Sequence, residues 1–268
     1  MQTYLAAAVQ LNSTSDDLVA NLDQAATLIS EAAARNAKLI ALPENFSFLG
    51  PEDEKLRQAS EIAAQSELFL KEQARSHHVF LLSGGHPAPA PSGKTYNRSY
   101  LVGPDGKVRA QYDKIHLFDV DLPNQTLRES DTVEPGLKLV HIHDDTLGCL
   151  GLSICYDIRF PELYRFLAAG GADVLFVPAA FTAFTGRDHW EVLLRARAIE
   201  NTCYVIAPAQ CGHHFGQRES YGHALIVDPW GDVLADAGSE PGIAIAEISA
   251  KRIEDVRMTI PSVRHRKL

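Results

Sequence analysis

Three polar residues interrupt apolar runs at comparable places in this chain. Glu44 follows the run LIALP, Lys114 closes KVRAQYDK, and Cys155 closes GCLGLSI just ahead of Tyr156, Asp157 and Pro161. Reactive groups in α/β proteins gather at the carboxyl ends of strands, so the three belong in one reading. Singly, each has a plain structural role: a helix cap, a solvated lysine, a small buried thiol. Jointly they supply complementary chemistry. The thiol is a nucleophile, the carboxylate a proton acceptor, and the ammonium a partner for an oxyanion. A thiol needs activation at neutral pH, which a nearby carboxylate provides if burial raises its pKa toward the working range. Amide N–H groups after Cys155, near a helix start at Pro161, favour thiolate and can donate to an oxyanion.

Elements able to position these residues are visible in the hydrophobic pattern. YLAAAVQLN (4–12) reads as a buried strand, and residues 16–36 as a helix with Leu18, Leu22, Ala25, Ile29 and Ala33 on one face. KLIALPEN (38–45) is a second buried strand, and a helix over 65–77 precedes the strand VFLLSGG (79–85). PAPAPSG (87–93) reads as a Pro-rich surface loop. RSYLVG and KVRAQYDK flank the turn Pro104-Asp105-Gly106, and strands 138–143 and 148–155 flank Asp144-Asp145. FPELYRFLAAGG (160–171) carries proline where a helix starts and glycines where it stops. DVLFVPAAF is a buried strand and residues 189–202 a helix, followed by strands over 203–210, 223–229 and 243–248. This alternation predicts mixed-sheet α/β architecture, either a two-sheet sandwich or a doubly wound sheet.

Composition narrows the function classes. The 268 residues are 46% hydrophobic and 22% charged, close to a globular average and sufficient for a large core in one domain over 1–268. A net charge of −9 offers no basic field for nucleic acid or anionic lipid, so a small molecule or another protein is the expected partner. No apolar run approaches the roughly 18 residues of a membrane span, and MQTYLAAAVQ lacks a signal-peptide pattern. Cys149, Cys155, Cys203 and Cys211 form no CxxC pair and read as reduced thiols of a cytoplasmic protein. His141 and His143 alternate on one strand with Cys149 nearby, but no fourth zinc ligand has convincing spacing. His213-His214 stands in a Gly-flanked segment that reads as a polar loop.

LPENF (42–46), YDKIHLFDVD (112–121) and LSICYDIRFPELYR (152–165) resemble, in order and spacing, the three signature segments of the nitrilase superfamily of carbon–nitrogen hydrolases. The resemblance covers essentially the whole chain. It implies a four-layer α-β-β-α sandwich that usually dimerises, without metal or cofactor. Carried over, Glu44 is the general base, Lys114 the oxyanion-binding lysine and Cys155 the nucleophile. Glu129, in RESDTVEPG, matches the second glutamate that positions lysine and substrate.

Downstream, FTGRDHWEVLLRARAIENTCYVIAPAQCGHH and SYGHALIVDPWG are similar to the deaminated-glutathione amidase branch. The ω-amidase branch, acting on α-ketoglutaramate, tends to carry Asn at Thr182 and lacks CGHH; Pro208 stands where the first branch usually has Ala. The resemblance implies that Arg159, four residues after the nucleophile, meets an acidic group of the substrate. A planar guanidinium suits a carboxylate, although Asp157 and Glu162 are alternative partners. Tyr156 and Thr185 are further substrate-binding candidates. The resulting expectation is an amidase working through a thioester, cleaving a small α-keto acid amide with release of the amine. Nitrile hydrolysis, a metal-dependent hydrolase on His141 and His143, and a non-catalytic scaffold are the rival classes. Helix 189–202 and the segment VRMTIPSVRHRKL are candidates for a homodimer interface.

Overall fold

The computed structural model describes residues 1–122 and 125–267. The chain opens with β1 (Tyr4–Leu11), α1 (Leu18–Ala34), β2 (Ala37–Ala41) and α2 (Glu52–His77). It continues through β3 (Phe80–Leu82), β4 (His86–Pro89), β5 (Thr95–Val102) and β6 (Val108–Asp113). A ribbon of β7 (Asp119–Leu122) and β8 (Gln125–Arg128) leads to β9 (His141–Asp144) and β10 (Gly148–Gly151). Then follow α3 (Pro161–Ala169), β11 (Val174–Phe176), α4 (Ala183–Asn201) and β12 (Tyr204–Ala207). A hairpin of β13 (Ala209–Phe215) and β14 (Arg218–Tyr221) precedes β15 (Leu225–Val227), β16 (Val233–Asp236), β17 (Gly242–Ile248) and α5 (Ala250–Thr259). Among the described residues, no helix is long and apolar enough to cross a membrane.

Two sheets carry the structure. A nine-stranded sheet runs β14-β13-β1-β2-β3-β5-β4, with β17 added beside β1 and β6 beside β5. The second sheet runs β16-β15-β12-β11-β10-β9. Strand side chains alternate between faces, and here both faces are apolar. Ala6, Ala8, Leu39 and Ala41 enter one core with Leu150, Val174, Phe176 and Ile206 of the second sheet. Their neighbours Ala7, Val9, Ile40 and Leu42 enter another core with Ala25, Ile29, Leu70 and Ala74 of α1 and α2. Leu163, Leu167, Trp190 and Leu194 of α3 and α4 cover the outer face of the second sheet. The layers are therefore α-β-β-α, which settles the choice that hydrophobic period left open.

Several boundaries differ from the sequence expectations. The helix placed at 65–77 begins at Glu52. Its first half is too polar to show a strong apolar stripe, but Glu52, Asp53 and Glu54 in the first turn and Arg75 and His77 in the last complement the helix dipole. PAPAPSG is not wholly a surface loop: β4 takes its first residues and pairs antiparallel with β5, with Ala88 buried. A sheet edge tolerates the prolines. The single apolar run 203–210 splits at Pro208 into β12 of one sheet and β13 of the other. The helix placed at 189–202 starts earlier, at Ala183.

Candidate active site

Glu44, Lys114 and Cys155 lie just beyond the ends of β2, β6 and β10, on elements of both sheets. Each is held by a local feature. The Glu44 loop is pressed against the end of β3, where a β-carbon at Gly84 would overlap the backbone of Leu42 and Pro43. Cys155 has φ of 48°, a left-handed conformation costly for a residue with a side chain and common at functional sites. Asp157, fully buried, binds the Lys114 and Cys155 segments together. Its carboxylate accepts from Tyr112 Oη at 2.7 Å, from the His116 N–H at 3.0 Å and from the Ile154 N–H at 2.8 Å.

The three side chains are almost completely enclosed, with Glu44 4%, Lys114 2% and Cys155 7% exposed. Lys114 Nζ stands 2.9 Å from Glu44 Oε1 and 2.9 Å from Glu129 Oε2. Asn97 Nδ2 donates to both glutamates, at 2.8 and 3.3 Å. The second oxygen of Glu44 accepts the Ala180 N–H at 2.9 Å, and Glu129 accepts the Phe118 N–H at 2.7 Å. Glu129, which the resemblance implies as a positioning glutamate, is joined to the Lys114 ammonium.

Burial and charge set the protonation states. Burial pushes the Glu44 carboxyl up, but the Lys114 charge and hydrogen bond, helped by the Ala180 N–H, hold its pKa at about 2. The sequence expectation of a burial-raised carboxyl pKa is therefore corrected: the ion pair outweighs desolvation. Burial also opposes the Lys114 charge, yet Glu129 and Glu44 keep it well above the ordinary lysine range. Burial and then the Glu44 charge push the Cys155 thiol well above its usual range, against the pull of Lys114. The resting set is carboxylate, ammonium and neutral thiol.

These groups open onto a cavity of about 180 Å³ whose lining also includes Phe118, Glu129, Tyr156, Phe181 and Thr185. The Cys155 N–H is occupied by the Pro178 carbonyl at 2.8 Å and the Asp157 N–H by the Ile154 carbonyl at 3.1 Å. Among the described residues, no protein acceptor takes the Tyr156 N–H, which leaves it open to a ligand oxygen. A carbonyl attacked by Cys155 can therefore meet an ammonium, an amide N–H and a carboxylate in one enclosure.

The remaining sequence candidates are placed differently. Tyr156 and Thr185 line the cavity, and the Thr185 and Thr182 hydroxyls are 2.7 Å apart. Arg159 lies outside that lining and pairs with neither Asp157 nor Glu162. Its guanidinium covers the Phe181 and Tyr156 rings at 5.2 and 5.8 Å, with Nη2 3.3 Å from His189 Nδ1. His213 and His214 belong to β13, where His214 is bonded to the Ser13 carbonyl and the Ser220 hydroxyl, 2.7 and 2.9 Å away. His141 and His143 are exposed on β9, and no group of three or more His, Cys, Asp or Glu among the described residues could hold a metal. Sequence reasoning missed Asn97, Lys55 and Arg218. Asn97 shares one face of β5 with Thr95 and Ser99, a buried polar stripe that reads in isolation as a solvent face.

Comparison with known proteins gives four concordant findings. The carbon–nitrogen hydrolase family profile matches residues 5–258. A Synechocystis sp. protein named deaminated glutathione amidase is 56% identical, with 99% of each chain covered. The Caenorhabditis elegans NitFhit structure aligns with a TM-score of 0.94 at 39% identity, covering 100% of this chain and 66% of that longer one. Saccharomyces cerevisiae Nit3, described as a member of branch 10 of the nitrilase superfamily, aligns with a TM-score of 0.88 at 35% identity, covering 97% and 95%.

Proposed function

The chain belongs to the carbon–nitrogen hydrolase family, within the nitrilase superfamily, and on that premise we propose how its site works and on what. It is a hydrolase of carbon–nitrogen bonds other than peptide bonds. The substrate we propose is deaminated glutathione, supported by the 56% identity to the Synechocystis amidase of that name. The observation that carries the mechanism is the convergence of Cys155, Glu44, Lys114 and Glu129 on one cavity with fixed, complementary charges.

As Cys155 Sγ attacks the amide carbonyl, its proton passes to the Glu44 carboxylate. The developing oxyanion takes hydrogen bonds from Lys114 Nζ and the Tyr156 N–H. Because the resting thiol is neutral and Glu44 strongly acidic, this transfer is uphill until substrate arrives; bond formation and the oxyanion contacts offset it. Protonated Glu44 then delivers the proton to the leaving amine as the carbon–nitrogen bond breaks, leaving a thioester on Cys155. Glu44, again a carboxylate, takes a proton from water as that water attacks the thioester. Collapse of the second tetrahedral intermediate releases the acid and returns the proton to sulfur. Glu129 and Asn97 hold Lys114 and Glu44 in place, and Arg159 braces the Tyr156 and Phe181 wall.

We also propose that residues 1–268 form one catalytic domain, supported by the family match over 5–258, and that it works as a homodimer. A reducing compartment, the cytoplasm, suits its four free cysteines. The test of the activity is amine or ammonia release from deaminated glutathione, α-ketoglutaramate and simple nitriles. Deaminated glutathione should be turned over with the highest kcat/KM, and Cys155→Ala should abolish turnover with an unchanged thermal unfolding profile. Full activity in that variant would end the thioester mechanism.

A further inference from the structure

Gln210, the second residue of β13, is fully buried and lies behind the loop that carries Glu44. Its Nε2 stands 3.1 Å from the Glu44 carbonyl, 3.3 Å from the Asn45 carbonyl and 2.9 Å from Ser13 Oγ. Its Oε1 accepts the Ser13 N–H at 3.0 Å. The backbone N–H of Gln210 donates to the Ala179 carbonyl at 2.9 Å, one residue from the Ala180 N–H that binds the Glu44 carboxylate. One residue is therefore bonded to the main chain behind Glu44 and to the segment in front of it.

The loop needs such a partner. Asn45 has φ of 57°, a left-handed conformation that asparagine tolerates but does not prefer. Leaving the loop, the carbonyls of Glu44 and Asn45 point at Gln210 and that of Phe46 accepts from Ser13 Oγ at 2.8 Å. Buried carbonyls without donors are costly, so Gln210 and Ser13 hold three successive peptide units in place. Ser13 is fixed in turn by His214, whose Nδ1 lies 2.7 Å from the Ser13 carbonyl and whose Nε2 lies 2.9 Å from Ser220 Oγ. Ser220 bridges to Thr182 in the cavity wall. The segment QCGHH, which takes no part in the chemistry, thus forms a buried strut between the loop of the base and the wall.

We infer that Gln210 is a positioning residue for Glu44, fixing the loop of the base against residues 179–180 so that the carboxylate stays between Lys114 and the Ala180 N–H. The inference rests on the reading of Glu44 as general base. Gln210 is outside the cavity lining, so it acts on the reaction only through the residues it holds. Displacement of a reacting group by about 1 Å costs roughly 100-fold in rate. Glutamine suits the place because its amide donates to carbonyls and accepts from an N–H at once; an ionised glutamate would turn oxygens toward oxygens.

The test is a double-mutant cycle on kcat between Gln210→Met and Glu44→Gln, with deaminated glutathione as substrate. Gln210→Met should lower kcat about 100-fold with KM within about twofold, and should cost no more than about threefold where Glu44 is already Gln. Gln210→Glu supplies a second readout, and serves if the Met variant fails to fold. A protonated glutamic acid keeps one acceptor and one O–H donor, and burial favours that form. The variant-to-wild-type ratio of kcat should therefore fall about tenfold between about pH 6 and about pH 9 as the carboxyl ionises. Alkylation of Cys155 by iodoacetamide needs no substrate. Gln210→Met should speed it about threefold, because a loosened carboxylate repels thiolate less, and should leave it unchanged in Glu44→Gln. Effects that multiply fully in turnover and in alkylation, with a flat ratio for the Glu variant, would overturn the inference. If Glu44→Gln alone leaves kcat intact, the general-base reading falls, and the alkylation cycle still decides whether Gln210 positions Glu44.

Discussion

Glu44 is held as a carboxylate near pKa 2 while Cys155 is held as a thiol, so the base and the nucleophile rest in opposition. This arrangement keeps sulfur unreactive until a carbonyl is present to accept it. It also makes Glu44 both the activator of Cys155 and a brake on its ionisation, because a carboxylate beside a thiol disfavours thiolate. Glu44→Gln separates the two effects. It should lower kcat by about 10²- to 10⁴-fold, the range for losing a general base. Iodoacetamide labelling of Cys155 at neutral pH should become faster, since the repelling charge is gone and Lys114 remains. Mass spectrometry of labelled peptides, run beside turnover, checks both; parallel loss of labelling and turnover would mean that Glu44 activates the resting thiol.

At the scale of single elements, β4 carries a group that the chemistry does not use. His86 is buried, has both ring nitrogens unpartnered, and meets Phe46 edge-on at 6.0 Å. Burial, reinforced by Arg98, holds its pKa down to about 3 from an ordinary 6.5. A base depressed in the folded state contributes its full stability above the unfolded pKa. As pH falls below about 6.5 the unfolded chain gains a proton that the folded chain refuses, and stability is lost until the folded pKa is reached. The slope is about 1.4 kcal/mol per pH unit for one such group. His214, lowered to about 4 mainly by burial, acts in the same direction. We expect His86→Phe to flatten the fall in urea-unfolding free energy between pH 6.5 and 4.5 by about 2–3 kcal/mol. An unaltered pH slope would show that His86 protonates freely in the folded protein.

At the scale of the whole molecule, α4 and the turn packed on it expose several large apolar side chains. Phe184, Val192 and Ile199 of α4 are 62%, 66% and 50% exposed, and Trp230 in the β15–β16 turn is 45% exposed beside them. Gly231 in that turn lies against Ile199, and the Arg195 Nε donates to its carbonyl at 2.8 Å, so turn and helix form one surface. Large exposed apolar side chains grouped along one helix suit the proposed association of two copies. The candidate interface at residues 189–202 therefore extends to Phe184 and Trp230. Light scattering at micromolar concentration should give about twice the 29.4 kDa chain mass, and the double variant Val192→Glu/Ile199→Glu should give the monomer mass. A wild-type monomer would remove the dimer from the proposal.

Glu44, Lys114 and Cys155 were legible as a set because each breaks an apolar run at a strand end, a pattern local in sequence and independent of how the strands assemble. The same locality made β1, β2, β12 and β17 visible as buried strands. Resemblance of three short segments added Glu129 and the four-layer architecture. What local pattern does not contain is the pairing of distant surfaces. Ala6 and Ala7 look alike in sequence but enter different cores, and one apolar run is divided between two sheets at Pro208. Protonation states belong to the same class: desolvation alone would raise Glu44, and the Lys114 ammonium, brought from 70 residues away and helped by the Ala180 N–H, reverses its direction. Arg218 had no signal for the same reason. Its sequence neighbours Gln217 and Glu219 mark an ordinary polar hairpin, whereas its place in the cavity lining, with Nη1 buried and unpartnered among the described residues, exists only once the cavity closes. Residue types and strand ends thus follow from short-range rules. Charge, burial and the unpaired guanidinium edge arise only when separate strands bring their ends together and exclude water, because electrostatic interactions depend on distance in space and on the solvent removed, not on distance along the chain.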